Sequence, residues 1–131
     1  MRSIIQQSVI LAASAQSLYA MYLDPVVHAA ITGAPVTIDP KPGAPFRAFD
    51  GSLSGNMLTV VEPRLIVQSW RSVHFNDEDP DSTLILTFTS EGSAGRIDLI
   101  HLDVPSQDYL GVTNGWETHY WTPWRRYLAR D

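Results

Sequence analysis

Residues 115–128 read Gly-Trp-Glu-Thr-His-Tyr-Trp-Thr-Pro-Trp-Arg-Arg-Tyr-Leu, and this segment decides the fold. The aromatic side chains of Trp116, Tyr120, Trp124 and Tyr127 follow one another at spacings of four, four and three residues. An α-helix turns once every 3.6 residues, so these spacings place all four side chains on one helical face. We predict a long C-terminal helix that begins near Ser106 and buries this face.

The first third of the chain predicts one strand and two short helices. Residues 3–11 are rich in Ile and Val and indicate the strand. Ser14 and Asp24 are residues that commonly cap helices, and Gly33 is suited to end the second helix. Four prolines between residues 35 and 45 exclude a further helix and leave room for a short edge strand.

The middle of the chain predicts an antiparallel meander. Turn residues separate the predicted strands, which cover residues 46–49, 52–61, 65–74, 83–90 and 96–104. Strands followed by one long helix predict an α+β fold in which an antiparallel sheet wraps around that helix. Pro123 removes a backbone donor inside the helix, so we expect a bend there. The length of 131 residues predicts a single domain, residues 1–131.

The overall composition restricts the partners. The net charge is -5 and the pI is about 5.2, which argues against binding the phosphates of nucleic acid. No apolar run approaches the roughly 20 residues of a membrane span, so we expect no membrane partner. The chain has no cysteine, which fits a reducing compartment, and we expect a cytoplasmic protein, either monomer or homodimer.

The sequence contains no pattern that predicts catalysis or a metal site. The four histidines, at positions 28, 74, 101 and 119, show no pair at metal-ligand spacing. Asp77, Asp79 and Asp81 alternate as in a calcium loop, but Ser82 and Phe88 stand where that loop needs glycine and glutamate. We therefore predict a non-enzymatic protein with no cofactor and no metal, and an exposed acidic loop.

Strand parity predicts which side chains face the helix. Gln68 and Trp70 share a face with Ile66, and His101 shares one with Ile97 and Leu99. An apolar space with a few polar groups is the usual form of a small-molecule site, and we expect one of at least ~300 Å³. The candidate ligand-binding residues are Gln68, Trp70, Phe88, Ile97, Leu99, His101, Trp116 and Tyr120. Dense core packing by the same side chains is the alternative interpretation.

Several short segments resemble one known family in order and spacing. They are Ile31–Pro35, Phe49–Gly55, Glu62–Arg64, Ile66–Arg71, Ser82–Leu84, His101–Pro105, and Gly115-Trp116 with Tyr120. Together they resemble the C-terminal domain of the activator of the ninety-kilodalton heat-shock protein ATPase. This is the Aha-type branch of the START-like (SRPBCC) superfamily, and the similarity runs from Ile4 to Leu128.

The resemblance implies a helix-grip fold like that of the birch-pollen allergen, with two small helices at one end of the sheet. The superfamily often encloses an apolar cavity and includes lipid and hydrophobic-ligand binders, cyclases and ring-hydroxylase subunits. We therefore expect a small hydrophobic ligand. The alternative implied by the resemblance is a co-chaperone-like protein of the stress response, which binds a heat-shock chaperone through its surface.

Overall fold

The structure is a computed structural model, and it describes residues 2–130. One seven-stranded antiparallel sheet has the strand order β1-β7-β6-β5-β4-β3-β2. The strands are β1 (Arg2–Leu11), β2 (Val36–Thr37), β3 (Pro45–Ala48), β4 (Leu53–Val61), β5 (Leu65–Ser72), β6 (Ser82–Glu91) and β7 (Ala94–Pro105). The predicted α+β helix-grip fold is confirmed, and the predicted strand ends differ from these by at most two residues.

Two short helices, α1 (Ala15–Leu23) and α2 (Pro25–Thr32), follow β1 as predicted. The Ser14 hydroxyl accepts a hydrogen bond from the backbone N–H of Ser17, and the Asp24 carboxylate accepts from the first N–H groups of α2. Gly33 ends α2 at a φ of 81°, a left-handed conformation that glycine adopts without steric cost. These local signals explain why sequence alone located both helices.

The meander from β4 to β7 alternates between the core and the outer face. In β5 every second residue, from Ile66 to Ser72, is buried, and the same pattern holds in β6 from Ser82 to Phe88. Paired strands keep these faces in register, so Gln68 lies opposite Leu84, which in turn lies opposite His101. The parity assigned from sequence is therefore confirmed for β5, β6 and β7.

The C-terminal helix changes its winding along its length. A 3₁₀ turn (Ser106–Asp108) leads into α3 (Tyr109–Trp116), a π-helical segment (Glu117–Trp121) and α4 (Thr122–Leu128). In the π-helical segment the Thr122 N–H donates to the Glu117 carbonyl, five residues earlier. This wider turn lies directly before Pro123, which has no N–H to donate to the helix. The bend expected at Pro123 stays a prediction.

The wider turn changes which aromatic residues reach the core. Trp116, Tyr120 and Trp124 are buried as predicted, but Trp121 is buried as well and Tyr127 is only half-buried. Trp121 stacks between Trp116 and Trp124, and its indole N–H donates to the Gln7 side chain of β1 at 2.7 Å. The extra residue of a π turn brings Trp121 to the buried face. The predicted four-residue stripe is corrected accordingly.

Candidate functional site

A cavity of about 610 Å³ lies between the C-terminal helix and the end of the sheet formed by β4 and β5. Its volume falls in the range of roughly 300–1,000 Å³ that is usual for small-molecule sites. The wall consists of Phe49, Ser52, Leu53, Trp70, Ser72, His74, Gln107, Asp108, Gly111, Val112, Gly115, Trp116, His119 and Tyr120.

The helix side of the cavity is built from residues three and four apart. Asp108, Val112 and Trp116 alternate there with Gly111 and Gly115. A Cβ added to Gly115 would approach only the His119 ring, at an ordinary 3.7 Å, and one added to Gly111 would meet only the Asp108 side chain. Neither glycine is required by packing against backbone. Their missing side chains are part of the reason that the space is open.

The sheet side of the cavity is mainly aromatic. The Trp70 ring lies 6.3 Å from the Trp116 ring, measured between centroids, and both residues are buried. Phe49 packs edge-on against His119 and Tyr120, at centroid distances of 5.3 and 6.1 Å. Edge-to-face and tilted pairs are favourable arrangements of aromatic rings. The walls are therefore held by contacts among themselves.

A buried hydrogen-bond chain behind the wall holds Trp116 and Trp70. The Trp116 indole N–H donates to Nδ1 of His101 at 3.3 Å, so the neutral ring carries its proton on Nε2. Nε2 donates to the Ser82 hydroxyl at 2.8 Å, and this hydroxyl donates to the Trp70 carbonyl at 2.6 Å. Burial lowers the pKa of His101 to about 3, because the charged ring would lose its solvation.

A second chain of buried hydrogen bonds holds Tyr120 in place. Its hydroxyl donates to Nε2 of His28 at 2.8 Å, because Nδ1 of that ring must donate to the Tyr22 carbonyl at 2.7 Å. The Tyr22 hydroxyl donates to the Gln68 side chain at 2.6 Å. Burial lowers the pKa of His28 to about 4 and raises the pKa values of Tyr22 and Tyr120. The network is neutral.

Polar groups collect at the edge of the cavity where the 3₁₀ turn starts the helix. Gln107 donates to the Asp79 carboxylate at 3.0 Å, which links this edge to the acidic loop. Partial burial raises the pKa of Asp108, and the nearby His74 acts in the opposite direction. These groups make this end of a mainly apolar space polar.

The structure separates the predicted ligand-binding residues into two groups. Trp70, Trp116 and Tyr120 border the cavity. The other five lie in the closely packed interior and form no part of its wall, contrary to the expectation that Phe88 and His101 would border it. They are Gln68, Phe88, Ile97, Leu99 and His101. Two of the five, Phe88 and His101, do not border the cavity because neighbouring aromatic rings lie over them.

Two of these displaced residues show the reason directly. Tyr19 of α1 packs edge-on against Phe88 at a centroid distance of 5.6 Å. Trp70 and Trp116 lie against the His101 ring, at 4.6 and 6.0 Å, and close it off from the space. Strand parity identified the inward face correctly. It does not identify which inward side chains another ring covers.

Sequence reasoning also missed part of the wall. Phe49, Ser52 and Leu53 come from the turn and strand start between β3 and β4, far in sequence from the helix that they face. The sequence does contain a signal for Gly111 and Gly115. Two glycines four residues apart lower the stability of a predicted helix, which indicates a packing or functional role at these positions.

The acidic loop is held by an arginine. Arg71 donates to the carbonyl oxygens of Asp79 and Asn76, both at 2.7 Å, and pairs with the Asp81 carboxylate at 3.3 Å. Asp79 caps the Asn76 N–H and is half-buried, so the expectation of full exposure holds for Asp77 and Asp81 but not for Asp79. Within residues 2–130 no group of three or more acidic or histidine side chains is arranged to hold a metal ion.

The sequence of the chain matches the family model described as "Activator of Hsp90 ATPase homolog 1-like protein" over residues 12–129. The chain belongs to this family. It is 26% identical to the human activator of 90 kDa heat shock protein ATPase homolog 1 over 107 aligned residues, and this alignment covers 82% of the chain. The chain spans only 31% of the length of that human relative.

Solved structures confirm the fold. An HSP90 activator from Plasmodium falciparum superposes with a TM-score of 0.82 at 21% identity, covering 89% of each chain. The protein CalU16 from Micromonospora echinospora superposes with a TM-score of 0.78 at 20% identity, covering 98% of this chain and 85% of its own. In residues 2–130, no helix has the length and apolar character needed to cross a membrane.

Proposed function

We propose that this chain is a non-enzymatic, single-domain START-like protein that binds a small, mainly apolar molecule between its sheet and its C-terminal helix. The observation that carries the proposal is the cavity of about 610 Å³ with its aromatic walls. Transfer of an apolar molecule out of water into such a space is favourable by roughly 25 cal/mol per Å² of buried surface. We also place the protein in the cytoplasm, since a chain without cysteine suits a reducing compartment.

The state of the wall supports binding rather than incidental poor packing. Trp70, Trp116 and Tyr120 are each fixed by hydrogen bonds or ring contacts on the side away from the space. Closing the cavity would require these rings to leave their partners, so the space is pre-formed. A pre-formed site avoids the ordering cost that flexible sites incur on binding.

The helical glycines support the same function. Alanine at a helix interior is favoured over glycine by about 1 kcal/mol, and nothing in the packing demands glycine at position 115. A side chain there would point into the cavity. Retaining glycine lowers helix stability and keeps volume for a ligand, which is the compromise expected of a binding site.

A substitution that fills the cavity tests the proposal. The probe is N-phenyl-1-naphthylamine, an uncharged molecule whose fluorescence rises in apolar surroundings. We expect saturable binding at one site and a loss of roughly tenfold or more in affinity for Gly115→Leu. Asn114→Leu is the matched control, since it adds the same side chain to the exposed face of the same helix. Its affinity should stay within about threefold of the parent.

Two results would contradict this proposal. One is the absence of saturable probe binding to the parent chain. The other is an equal effect of Gly115→Leu and Asn114→Leu, which would place the probe outside the cavity. Thermal melting of each variant establishes that it is folded before its affinity is compared.

A chaperone partner is the second candidate function, favoured by family membership. The human relative is named for activation of the 90 kDa heat-shock protein ATPase, although the chain spans only 31% of it. The chain would then act through its outer surface. The test is the ATPase rate of a purified heat-shock chaperone with and without the chain. Stimulation that Gly115→Leu leaves unchanged, without probe binding, would favour this candidate over the ligand.

A further inference from the structure

Among residues 2–130, Asp108 is the one side chain of the cavity wall with a formal charge at neutral pH. The other wall residues are apolar, aromatic, glycine, serine, glutamine or histidine, and none is lysine or arginine. The whole chain carries a net charge of -5. The charge pattern of the space is therefore negative, and it comes from a single carboxylate at one end.

This carboxylate accepts no hydrogen bond from residues 2–130, although the nearby His74 acts on it electrostatically and lowers its pKa. Within residues 2–130 it takes part in no ion pair, and it makes no hydrogen bond to cap the helix that starts beside it. It lies over Gly111, where an added Cβ would come within 2.9 Å of Oδ1. A partly buried carboxylate normally finds a donor, because burial without one costs free energy. A carboxylate on a cavity wall that accepts no hydrogen bond from its surroundings is accordingly open to a donor from the ligand.

The rings beside Asp108 suit a cation as well as an apolar body. Trp70, Trp116 and Tyr120 line the same space, and the faces of such rings attract ammonium groups. From the Asp108 carboxylate, which accepts no hydrogen bond from residues 2–130, and from these rings we propose that the cavity binds an apolar, ring-bearing molecule with a protonated amine, which Asp108 pairs. This inference rests on the proposed ligand-binding function and names the chemical class of the ligand.

Other ligand classes fit the wall less well. A carboxylate or phosphate would meet Asp108 without a lysine or arginine to balance it. A neutral alcohol could donate a hydrogen bond to the Asp108 carboxylate, but it lacks the positive charge that adds ion pairing to the hydrogen bond of an ammonium group.

Three molecules that share one naphthalene body test the inference. They are 2-(1-naphthyl)ethylamine, 2-(1-naphthyl)ethanol and 1-naphthaleneacetic acid, the last of which is a carboxylate at pH 8. Each is titrated by calorimetry at pH 8 into the parent, Asp108→Asn and Asp77→Asn. Asp77→Asn is the matched control, because it removes one negative charge from the exposed loop, away from the cavity. Asparagine at 108 keeps the size of the side chain, and no hydrogen bond described within residues 2–130 depends on the carboxylate.

We expect the parent to bind the amine roughly tenfold or more tightly than the alcohol, and the acid most weakly. Asp108→Asn should abolish the difference between amine and alcohol and leave affinity for the alcohol within about threefold. Asp77→Asn should retain the preference. Equal affinities in the parent, tightest binding of the acid, or an amine preference that survives Asp108→Asn would each overturn the inference while the cavity function stands. Failure of all three molecules to bind would overturn the proposed function and this inference together.

Discussion

The indole N–H of Trp116 donates a hydrogen bond to Nδ1 of His101 across 3.3 Å, so a ring on the cavity wall is held by a residue buried behind it. Protonation of Nδ1 would remove the acceptor and place an unpaired charge in the core. The position of the wall therefore depends on a neutral histidine. The same relationship links Tyr120 to His28 at the neighbouring stretch of wall.

Truncation of Trp116 should be strongly destabilising. The residue is 3% exposed and packs against four other aromatic rings. We expect Trp116→Ala to lower the free energy of unfolding by roughly 3–5 kcal/mol, as for other large core truncations. Trp116→Phe should cost about 1–3 kcal/mol, because it leaves Nδ1 of His101 without its donor. Urea denaturation measures both.

Tyr127→Ala serves as the control for Trp116→Ala. Tyr127 lies on the same helix but is only half-buried, so its truncation should cost clearly less. A loss below about 1 kcal/mol for Trp116→Ala would show that the helix does not depend on this contact.

Stability should fall as the pH is lowered below 6.5. The folded-state pKa values of His28 and His101 are lowered to about 4 and about 3, whereas unfolded histidine titrates near 6.5. At a pH between the folded and unfolded pKa values, these histidines are protonated in the unfolded chain and neutral in the folded chain, so lowering the pH favours unfolding. Each histidine should remove about 2 kcal/mol by pH 5, relative to neutral pH. Urea denaturation at pH 7.5, 6.5, 5.5 and 5.0 measures the change.

His28→Asn isolates the contribution of one histidine. Its amide can replace the donor to the Tyr22 carbonyl but does not titrate. The variant should be less stable than the parent at pH 7.5, and its stability should fall less steeply toward pH 5. An identical pH dependence in the two proteins would show that His28 already accepts a proton when folded.

Gly115→Ala should stabilise the helix by about 0.5–1 kcal/mol. The added methyl group meets only the His119 ring at 3.7 Å, so helix propensity decides the outcome. Gly55→Ala should do the reverse, because its Cβ would lie 1.9 Å from the Ser69 carbonyl oxygen. We expect it to cost at least about 1–3 kcal/mol, as overpacking does. Thermal melting ranks the two variants, and a destabilised Gly115→Ala would mean that position 115 has no free space.

Calcium should leave the melting temperature unchanged. Asp77, Asp79 and Asp81 lack the remaining ligands of a calcium loop, and Asp79 is occupied by the Asn76 N–H and Gln107. The measurement is thermal melting in EDTA and in micromolar to millimolar calcium, with magnesium as the control for ionic strength. A large rise in melting temperature at micromolar calcium, with no such rise in magnesium, would contradict this prediction.

The order of the elements could be read from the sequence because their signals are local. Ser14, Asp24 and Gly33 mark helix ends through their own side-chain and backbone chemistry. Alternation along β5 and β6 reports which face is buried, since successive side chains of a strand point to opposite sides. The motifs between Ile31 and Tyr120 predicted the family, which the match to the family model confirms. The prediction of a single domain over residues 1–131, and the roles assigned to its ligand-binding residues, stay predictions.

The cavity wall could not be read in the same way, because it depends on contacts between distant parts of the chain. Parity predicts that His101 and Phe88 point inward, but only the packed structure shows that Trp70, Trp116 and Tyr19 cover them. Phe49 and Leu53 line the space together with helix residues that lie far away in the sequence.

The C-terminal helix shows the same division within one element. Its aromatic spacing determined by itself that Trp116, Tyr120 and Trp124 are buried on one face. The π-helical turn before Pro123 brought Trp121 to that face, and the bond to Gln7 of β1 holds it there. A periodic pattern assumes one winding along the whole helix. Only the tertiary structure decides where that winding changes, because the contacts that compensate for the change come from another part of the chain.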